Sequence, residues 1–321
     1  MDITNYIRAY DKIREASNIL LATHSRPDPD ALASLCALAE LLEISNKKFF
    51  AYCLDLPPKY TYFLPQIEKI SNDKSQFNFD DFDLIIALDC GSLSRTNLET
   101  EIKNRKKTQF VIEFDHHPKM EIYSDLAIKD EKKSSTTEVL FHFFKFNKIK
   151  ISKNIATCLL TGLLGDTGNF LYSSASNQTM QIAAEMLKHG ARMTQINKSI
   201  MRNKSLTGMK IWGQALNNLE INPKYNLAFS VLTYEDVKRK DFTEDEFEGI
   251  AGFLSNLYGI NALLFLQEEE PSIIRGSFRS VNDNIDIAKL AAFLGGGGHP
   301  KAAGFKIEGR IVKTDKSWKI E

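Results

Sequence analysis

The sequence predicts a doubly wound α/β domain followed by a smaller α+β domain. Short apolar runs alternate with helix-length stretches through residues 1–190, the pattern of parallel strands joined by crossover helices. The run "FDLIIALDC" (82–90) is nearly all apolar, as a parallel strand buried on both faces is. After "NPKYN" (222–226) the pattern changes to strand, helix and hairpin. The first domain is therefore placed at 1–190, a helical connector at 191–225 and the second domain at 226–321.

Residues 4–16 read as a helix. "NILLATH" (18–24) is an apolar strand ending at His24, and "DALASLCALAELLEIS" (30–45) is helical in period. Strands follow at 47–54, 82–90 and 108–115. "SSTTEVLFHFFKFN" (134–147) opens with Ser135-x-x-Glu138, a capping pattern, and continues as a helix. "SKNIATCLLTGLLGDTG" (152–168) is a helix closed by a glycine-containing turn. Residues 178–219 look all-helical. In the second domain, strands are expected at 227–233, 262–269 and 272–280, the last two forming a hairpin around Glu270-Pro271. Helices are expected at 243–258 and 286–294, the latter running into "GGGGHPKAAGFKIEG".

The 321 residues suit about two domains, and 43% hydrophobic content supplies a core. Forty-one basic residues balance 41 acidic ones. A protein that grips long nucleic acid through its phosphates usually carries a basic excess, so here the grip is local or the substrate is small. Cys36, Cys53, Cys90 and Cys158 form no CxxC pair, which points away from a zinc knot and a disulfide framework. The amphipathic N-terminus lacks the apolar stretch of a signal peptide, and no run is long enough for a membrane helix. These features predict a soluble cytoplasmic protein with no membrane contact and no obligate protein partner in evidence.

Four places put metal-type ligands at the ends of buried elements. "ATHSRPDPDALAS" carries His24, Asp28 and Asp30 after a strand; Asp89 ends "LIIALD"; Asp115, His116 and His117 end "VIEF"; Asp166 lies in "LLGDTGNF". Alone, each has an ordinary explanation. An aspartate after a strand is commonly a cap or turn residue, "PDPD" reads as a turn with Asp30 near a helix N-cap, and paired histidines occur in loops. Together they weaken that account. Ligands gather at the carboxyl ends of strands in an open α/β sheet, so three strands deliver carboxylate or imidazole to one crevice. Four of the six histidines lie in these segments or the glycine-rich one. Gathered carboxylates repel, and a divalent cation, or two, removes that cost. Oxygen and imidazole ligands without thiolate favour Mn²⁺ or Mg²⁺. Such a pair of ions suits phosphoester or phosphoanhydride hydrolysis.

These segments, "HSRPDPDALAS", "LDCGSLSR", "FDHHP" and "GDTGNF", occur in the order and approximate spacing of the DHH phosphoesterases. "RGSFRS" and "GGGGHPKAAGF" resemble the DHHA1 domain that follows in one branch. The likeness spans nearly the whole chain and is nearest in length and motif to the nanoRNase/pAp phosphatase branch. It implies that His24 and Asp28 bind one metal ion, that Asp30, His116 and Asp166 bind a second, and that Asp89 bridges both. It implies that His117 contacts the scissile phosphate, that Asp115 orients a histidine, and that Arg95 supports the site or touches phosphate. The family often has Gly where Pro29 and Ala33 stand, and neither change removes a ligand.

Arg275, Ser277 and Arg279 are spaced by two and so share a face of a strand, which suits phosphate or a base stack as well as a solvated sheet face. "GGGGHP" reads either as a flexible turn or as a nest of amides for an anion, with His299 adding a donor. The resemblance favours binding for both and implies that Arg275, Arg279, Ser280, Gly296, Gly297, Gly298 and His299 hold the far end of a short nucleotide. The activity so implied is metal-dependent hydrolysis of short RNA or DNA oligonucleotides and of pAp, with two Mn²⁺ (or Mg²⁺) ions. Rivals are a phosphodiesterase for linear or cyclic dinucleotides, a single-strand exonuclease, a pyrophosphatase and a catalytically silent nucleotide sensor.

Overall fold

A computed structural model describes residues 3–118, 121–172, 174–201, 204–237, 244–247, 249–282, 284–314 and 318–321. The chain forms two compact units, Met1–Asn203 and Lys204–Glu321.

The first unit runs α1 (Ile3–Glu15), β1 (Ile19–Thr23), α2 (Pro29–Ile44), β2 (Phe49–Tyr52), β3 (Ile70–Ser71), β4 (Leu84–Leu88), α3 (Glu99–Lys103), β5 (Phe110–Asp115), β6 (Leu126–Lys129), α4 (Thr136–Phe146), α5 (Lys153–Asp166), α6 (Asn177–Lys188) and α7 (Met193–Ile196), the last continuing as a π-helical turn, Asn197–Met201. All pairings in its sheet are parallel, in the order β3-β2-β1-β4-β5-β6. The order reverses between β1 and β4, so the binding crevice of such a sheet opens beyond these two strands.

Alternate residues of the strands enter different cores, which is why the strands read as unbroken apolar runs. Ile19, Leu21, Leu84, Ile86, Leu88, Ile112 and Phe114 pack with α1, α2, α4 and α5, while Leu20, Ala22, Ile85, Ala87 and Val111 pack on the other face with Leu93, Leu98 and Ile102. The edge strands β3 and β6 were not expected from sequence. The first is two residues long, and the second, "LAIK", is buried only at Leu126 and Ile128, so neither carries the apolar run that marks a central strand.

The predicted helical stretch 178–219 is broken. Gly190, at φ +86°, follows α6, a left-handed residue suited to ending a helix. Beyond the break, Ile196 is buried in the core of the first unit, while Ile211 and Ala215 are buried in the second.

The second unit comprises α8 (Leu206–Asn217), β7 (Glu220–Asn222), β8 (Leu227–Leu232), α9 (Tyr234–Val237), α10 (Ile250–Leu254), β9 (Ala262–Glu270), β10 (Ile273–Ser280), α11 (Ile287–Phe293), β11 (Gly297–His299), β12 (Ala302–Glu308), β13 (Ile311–Lys313) and β14 (Trp318–Ile320). Its main sheet has the order β11-β12-β10-β9-β8-β7. The hairpin β9–β10 forms as expected, with a register shift between Ile273 and Ile274. The helix expected over 243–258 is instead a 3₁₀ turn, Glu244–Phe247, and α10, separated by Gly249 at φ +88°; Thr243 and Glu248 lie outside the described residues.

Candidate metal centre

The centre is built at the crevice end of the first sheet. His24 follows β1 directly, and Asp89 follows β4 in the left-handed region at φ +58°. Such backbone in a non-glycine residue is strained by about 1–3 kcal/mol and persists only where its surroundings hold it. Here the Asp89 N–H donates to the Phe114 carbonyl at 2.9 Å, and the Thr136 hydroxyl donates to Asp89 Oδ1 at 2.7 Å.

Asp28 is the N-cap of α2, the position that sequence had offered to Asp30. Its Oδ1 accepts the Asp30 and Ala31 N–H groups, both at 3.0 Å, while its Oδ2 lies 3.8 Å from His24 Nε2. One carboxylate thus starts the helix and faces the histidine. Pro29 occupies the first helical turn, where its fixed φ is suited to the helix and its missing N–H costs nothing.

Asp30 is fully buried and meets the N-terminus of α4. Its Oδ2 accepts the Thr136 N–H at 2.6 Å, and its Oδ1 accepts the Thr137 N–H at 3.1 Å and the Thr137 hydroxyl at 2.7 Å. The helix starts there because Ser135 is the N-cap, accepting the Glu138 N–H at 3.0 Å. The expected capping pattern has shifted at its other arm, as Glu138 Oε2 accepts the Ser134 N–H and hydroxyl. The Thr136 and Thr137 contacts were not foreseen from sequence. The available signal was that a helix N-terminus offers free amides to an anion.

His116 and Asp166 complete the group, with His116 Nε2 3.1 Å from Asp166 Oδ2 and 3.6 Å from Asp89 Oδ1. Two sets of ligand atoms therefore gather, His24–Asp28–Asp89 and Asp30–His116–Asp166; Asp89, His116 and His117 form a third, overlapping set. Asp89 reaches both sides, its Oδ2 lying 4.0 Å from His24 Nε2.

Burial pushes the Asp30 carboxyl up to about 8, with Asp166 adding repulsion against the pull of His116. Burial, then Asp30 and Asp28, push Asp89 well above the carboxylate range. Burial lowers His24 and so favours the neutral ring that a ligand must be. Burial would lower His116 too, but the hydrogen bond and charge of Asp166 raise it.

The residues present fit divalent cations. Among the described residues His24 Nε2 is buried without a hydrogen-bond partner and is aimed between Asp28 and Asp89. A cation there would satisfy it and offset the repulsion that raises Asp30 and Asp89. His24 Nδ1 lies 2.7 Å from the Ser25 carbonyl and 2.8 Å from the Arg95 guanidinium. Donation to Ser25 leaves Nε2 as the ligating atom, the tautomer that metal-bound histidines usually adopt. The Arg95 contact belongs to the other tautomer, since a guanidinium only donates.

His117 is turned differently. Asp115 Oδ1 accepts both its backbone N–H and its ring Nδ1–H, each at 2.8 Å. Burial would raise Asp115, yet the ring of His117 and the ammonium of Lys129 hold it below the usual range.

In the second unit, Arg275, Ser277 and Arg279 share the more exposed face of β10. Arg275 pairs with Glu269 Oε1 at 3.2 Å, and Arg279 Nη1 donates to the Phe278 carbonyl at 2.8 Å. Ser280 is on the other face, buried, with its hydroxyl donating to the Asn282 carbonyl at 2.7 Å, so the structure does not bring it to the arginines. The glycine run is ordered by hydrogen bonds. The Gly295 and Gly296 N–H groups cap α11 through the Ala292 and Ala291 carbonyls, while Gly297, Gly298 and His299 form edge strand β11. The Gly296 amide is therefore engaged with the helix. A side chain at Gly296 or Gly298 would run into the backbone of β12. His299 Nδ1 accepts the Lys301 N–H at 3.2 Å.

Residues 18–163 match the DHH family, N-terminal domain, and residues 224–316 match the DHHA1 domain. The bifunctional oligoribonuclease and PAP phosphatase NrnA of Bacillus subtilis is 29% identical over 90% of this chain and 89% of its own. The protein of the same name from Thermus thermophilus is 27% identical over 94% of this chain and 90% of its own. A crystal structure of an exopolyphosphatase-related protein from Bacteroides fragilis superposes with a TM-score of 0.85 at 26% identity, covering 95% of this chain and 91% of that one. With a DHH domain bearing the acidic and histidine centre and a DHHA1 domain after it, the chain belongs to the DHH phosphoesterase family.

Proposed function

We propose that this protein hydrolyses short oligoribonucleotides to mononucleotides and removes the 3′-phosphate of pAp. The observation that carries the reading is the Asp89 carboxylate, whose two oxygens face separate histidine–acid groups, the disposition that a pair of cations requires. His24, Asp28 and Asp89 would hold one ion and Asp30, His116, Asp166 and Asp89 the other. When bound, such ions activate water and neutralise charge on phosphoryl oxygens. Mn²⁺ is the expected ion, with Mg²⁺ as the alternative, since the donors are oxygen and imidazole.

His117 does separate work. Its Nδ1–H is committed to Asp115, which fixes the ring and leaves Nε2 to meet the scissile phosphate and stabilise charge developing on it. Asp115 is the orienting group. Arg275, Arg279 and the β11 segment would recognise the rest of the nucleotide, and Arg95, whose Nη1 donates to the Cys90 carbonyl at 3.3 Å, would support the site or contact phosphate. Zero formal charge suits a small substrate better than a long one. Among the described residues no helix is long and apolar enough to cross a membrane. Four free, buried cysteines fit a reducing compartment, which supports a cytoplasmic setting for the activity.

The test is product release from RNA of two to about 20 nucleotides (a span that reaches the site sizes of single-strand binders), with pAp, cyclic dinucleotide and inorganic polyphosphate alongside, in Mn²⁺ and in chelator. Fast turnover of the shortest RNAs and pAp, lost in chelator, supports the reading. Turnover rising with length makes the protein an exonuclease. Preference for polyphosphate, the substrate class in the name of the exopolyphosphatase-related protein from Bacteroides fragilis, replaces the nucleotide reading.

A further inference from the structure

Behind His117 lies a buried chain of charge that the metal centre does not use. β5 and β6 run parallel with Asp115 opposite Lys129 and Glu113 opposite Ala127. Glu113 and Asp115 are two apart on one strand and so project from the same face. The Lys129 ammonium lies between their carboxylates, 3.1 Å from Glu113 Oε1 and 3.2 Å from Asp115 Oδ2. All three side chains are buried or nearly so, at 4%, 0% and 11% exposed for Glu113, Asp115 and Lys129. The far oxygen of Glu113 accepts the Ser124 hydroxyl at 3.3 Å.

The consequence falls on the two oxygens of Asp115. Oδ2 accepts the Gly91 N–H at 2.9 Å and the Lys129 ammonium, while Oδ1 accepts the two N–H groups of His117. A carboxylate pinned through one oxygen cannot rotate, so the other presents its lone pairs to the imidazole in a fixed direction. Gly91 belongs to the loop after β4, which carries Asp89. Lys129 comes from the sheet edge and is the only lysine or arginine among the described residues that pairs with this carboxylate. Without it, two buried carboxylates would share a face of β5 with no ammonium between them, and their repulsion would turn Asp115 away. Neither β6 nor Lys129 carries any signature in the sequence, since "LAIKD" reads as ordinary loop-edge sequence.

We propose that Lys129 is a positioning residue: held by Glu113, it locks the Asp115 carboxylate and thereby sets the orientation and tautomer of the His117 ring. Its action on turnover rests on the reading of His117 as the group that meets the scissile phosphate. Its action on the ring does not, and the two are measured separately.

The experiment compares the wild-type protein with Lys129→Met, Lys129→Arg and Glu113→Gln. The ring readout is the proton on His117 Nδ1, followed by NMR with ¹⁵N-labelled histidine in Mg²⁺ and assigned by its loss in His117→Gln. The turnover readout is kcat and KM on a dinucleotide and on pAp. In Lys129→Met the Nδ1 proton resonance shifts or broadens, and kcat falls about 10–100-fold, the range seen when the partner of a functional imidazole is removed, with KM and Mg²⁺ affinity within about twofold. Glu113→Gln gives a smaller effect of the same kind, and Lys129→Arg recovers much of the resonance and of kcat. An unchanged Nδ1 resonance in Lys129→Met overturns the proposal whatever happens to activity. So does loss of metal affinity in parallel with kcat, which would mark a general structural defect. Should the wild-type protein turn over neither substrate, the nucleotide reading fails while the resonance still decides the positioning role. If Lys129→Met does not fold, Glu113→Gln carries the same comparison.

Discussion

Gly162 of α5 lies so close to Asp30 of α2 that a Cβ at this glycine would overlap Asp30 Oδ1 and the Thr137 side chain. A glycine in the middle of a helix usually costs about 1 kcal/mol relative to alanine. Here the missing side chain is what lets the two helices close around the buried carboxylate.

Gly162→Ala therefore tests the packing beneath the centre. Overpacking costs about 1–3 kcal/mol, and Asp30 cannot step aside cheaply because the Thr136 and Thr137 amides hold it. The expected result is a lower melting temperature and weaker Mn²⁺ binding, read by calorimetry. A raised melting temperature with unchanged affinity would show that helix propensity wins and that α5 moves freely.

Asp89→Ala removes the carboxylate that faces both histidine–acid groups. Turnover should vanish, and isothermal titration should show loss of at least one cation. Activity within about tenfold of the wild type would sink the bridging role.

Arg279→Ala should raise KM for nucleotides and leave hydrolysis of a small generic phosphodiester largely intact. A parallel loss on both substrates would mean that the second domain does not read substrate separately from the chemistry.

The pH response of the metal-free protein follows from the buried acids. Asp30 has a folded value of about 8 against 3.8 in the unfolded chain. Between those values the folded state keeps a proton that the unfolded chain has lost, so stability falls as pH rises. Asp89, raised by burial and its acidic neighbours, acts in the same sense. His116, raised by Asp166, contributes stability present below pH 6.5 and lost as pH climbs through its folded value. His24, lowered by burial, opposes them by gaining stability as pH rises through 6.5. In chelator the melting temperature should fall from pH 5 to pH 8, and Mn²⁺ should restore it with proton release. A melting temperature that rises across this range would contradict the burial of unpaired acids.

The ligand types and their order along the chain were legible in the sequence. His24, Asp28, Asp30, Asp89, His116 and Asp166 stand at the ends of apolar runs, and a parallel sheet sends strand ends to a common edge. The central strands were legible for a related reason, because burial on both faces leaves an unbroken apolar signature. What tertiary structure alone decided is how the buried acids are held. That Asp30 rests on the amides of α4 depends on contacts between residues far apart in the chain, whereas the Asp28 cap of α2 is local and the turn of Ser280 away from Arg279 follows the alternation of a strand. Lys129 is the sharpest instance. Its pairing with Asp115 follows from the register of an edge strand too weakly apolar to be seen in sequence, and a lone lysine becomes informative only once that register sets it beside a buried carboxylate.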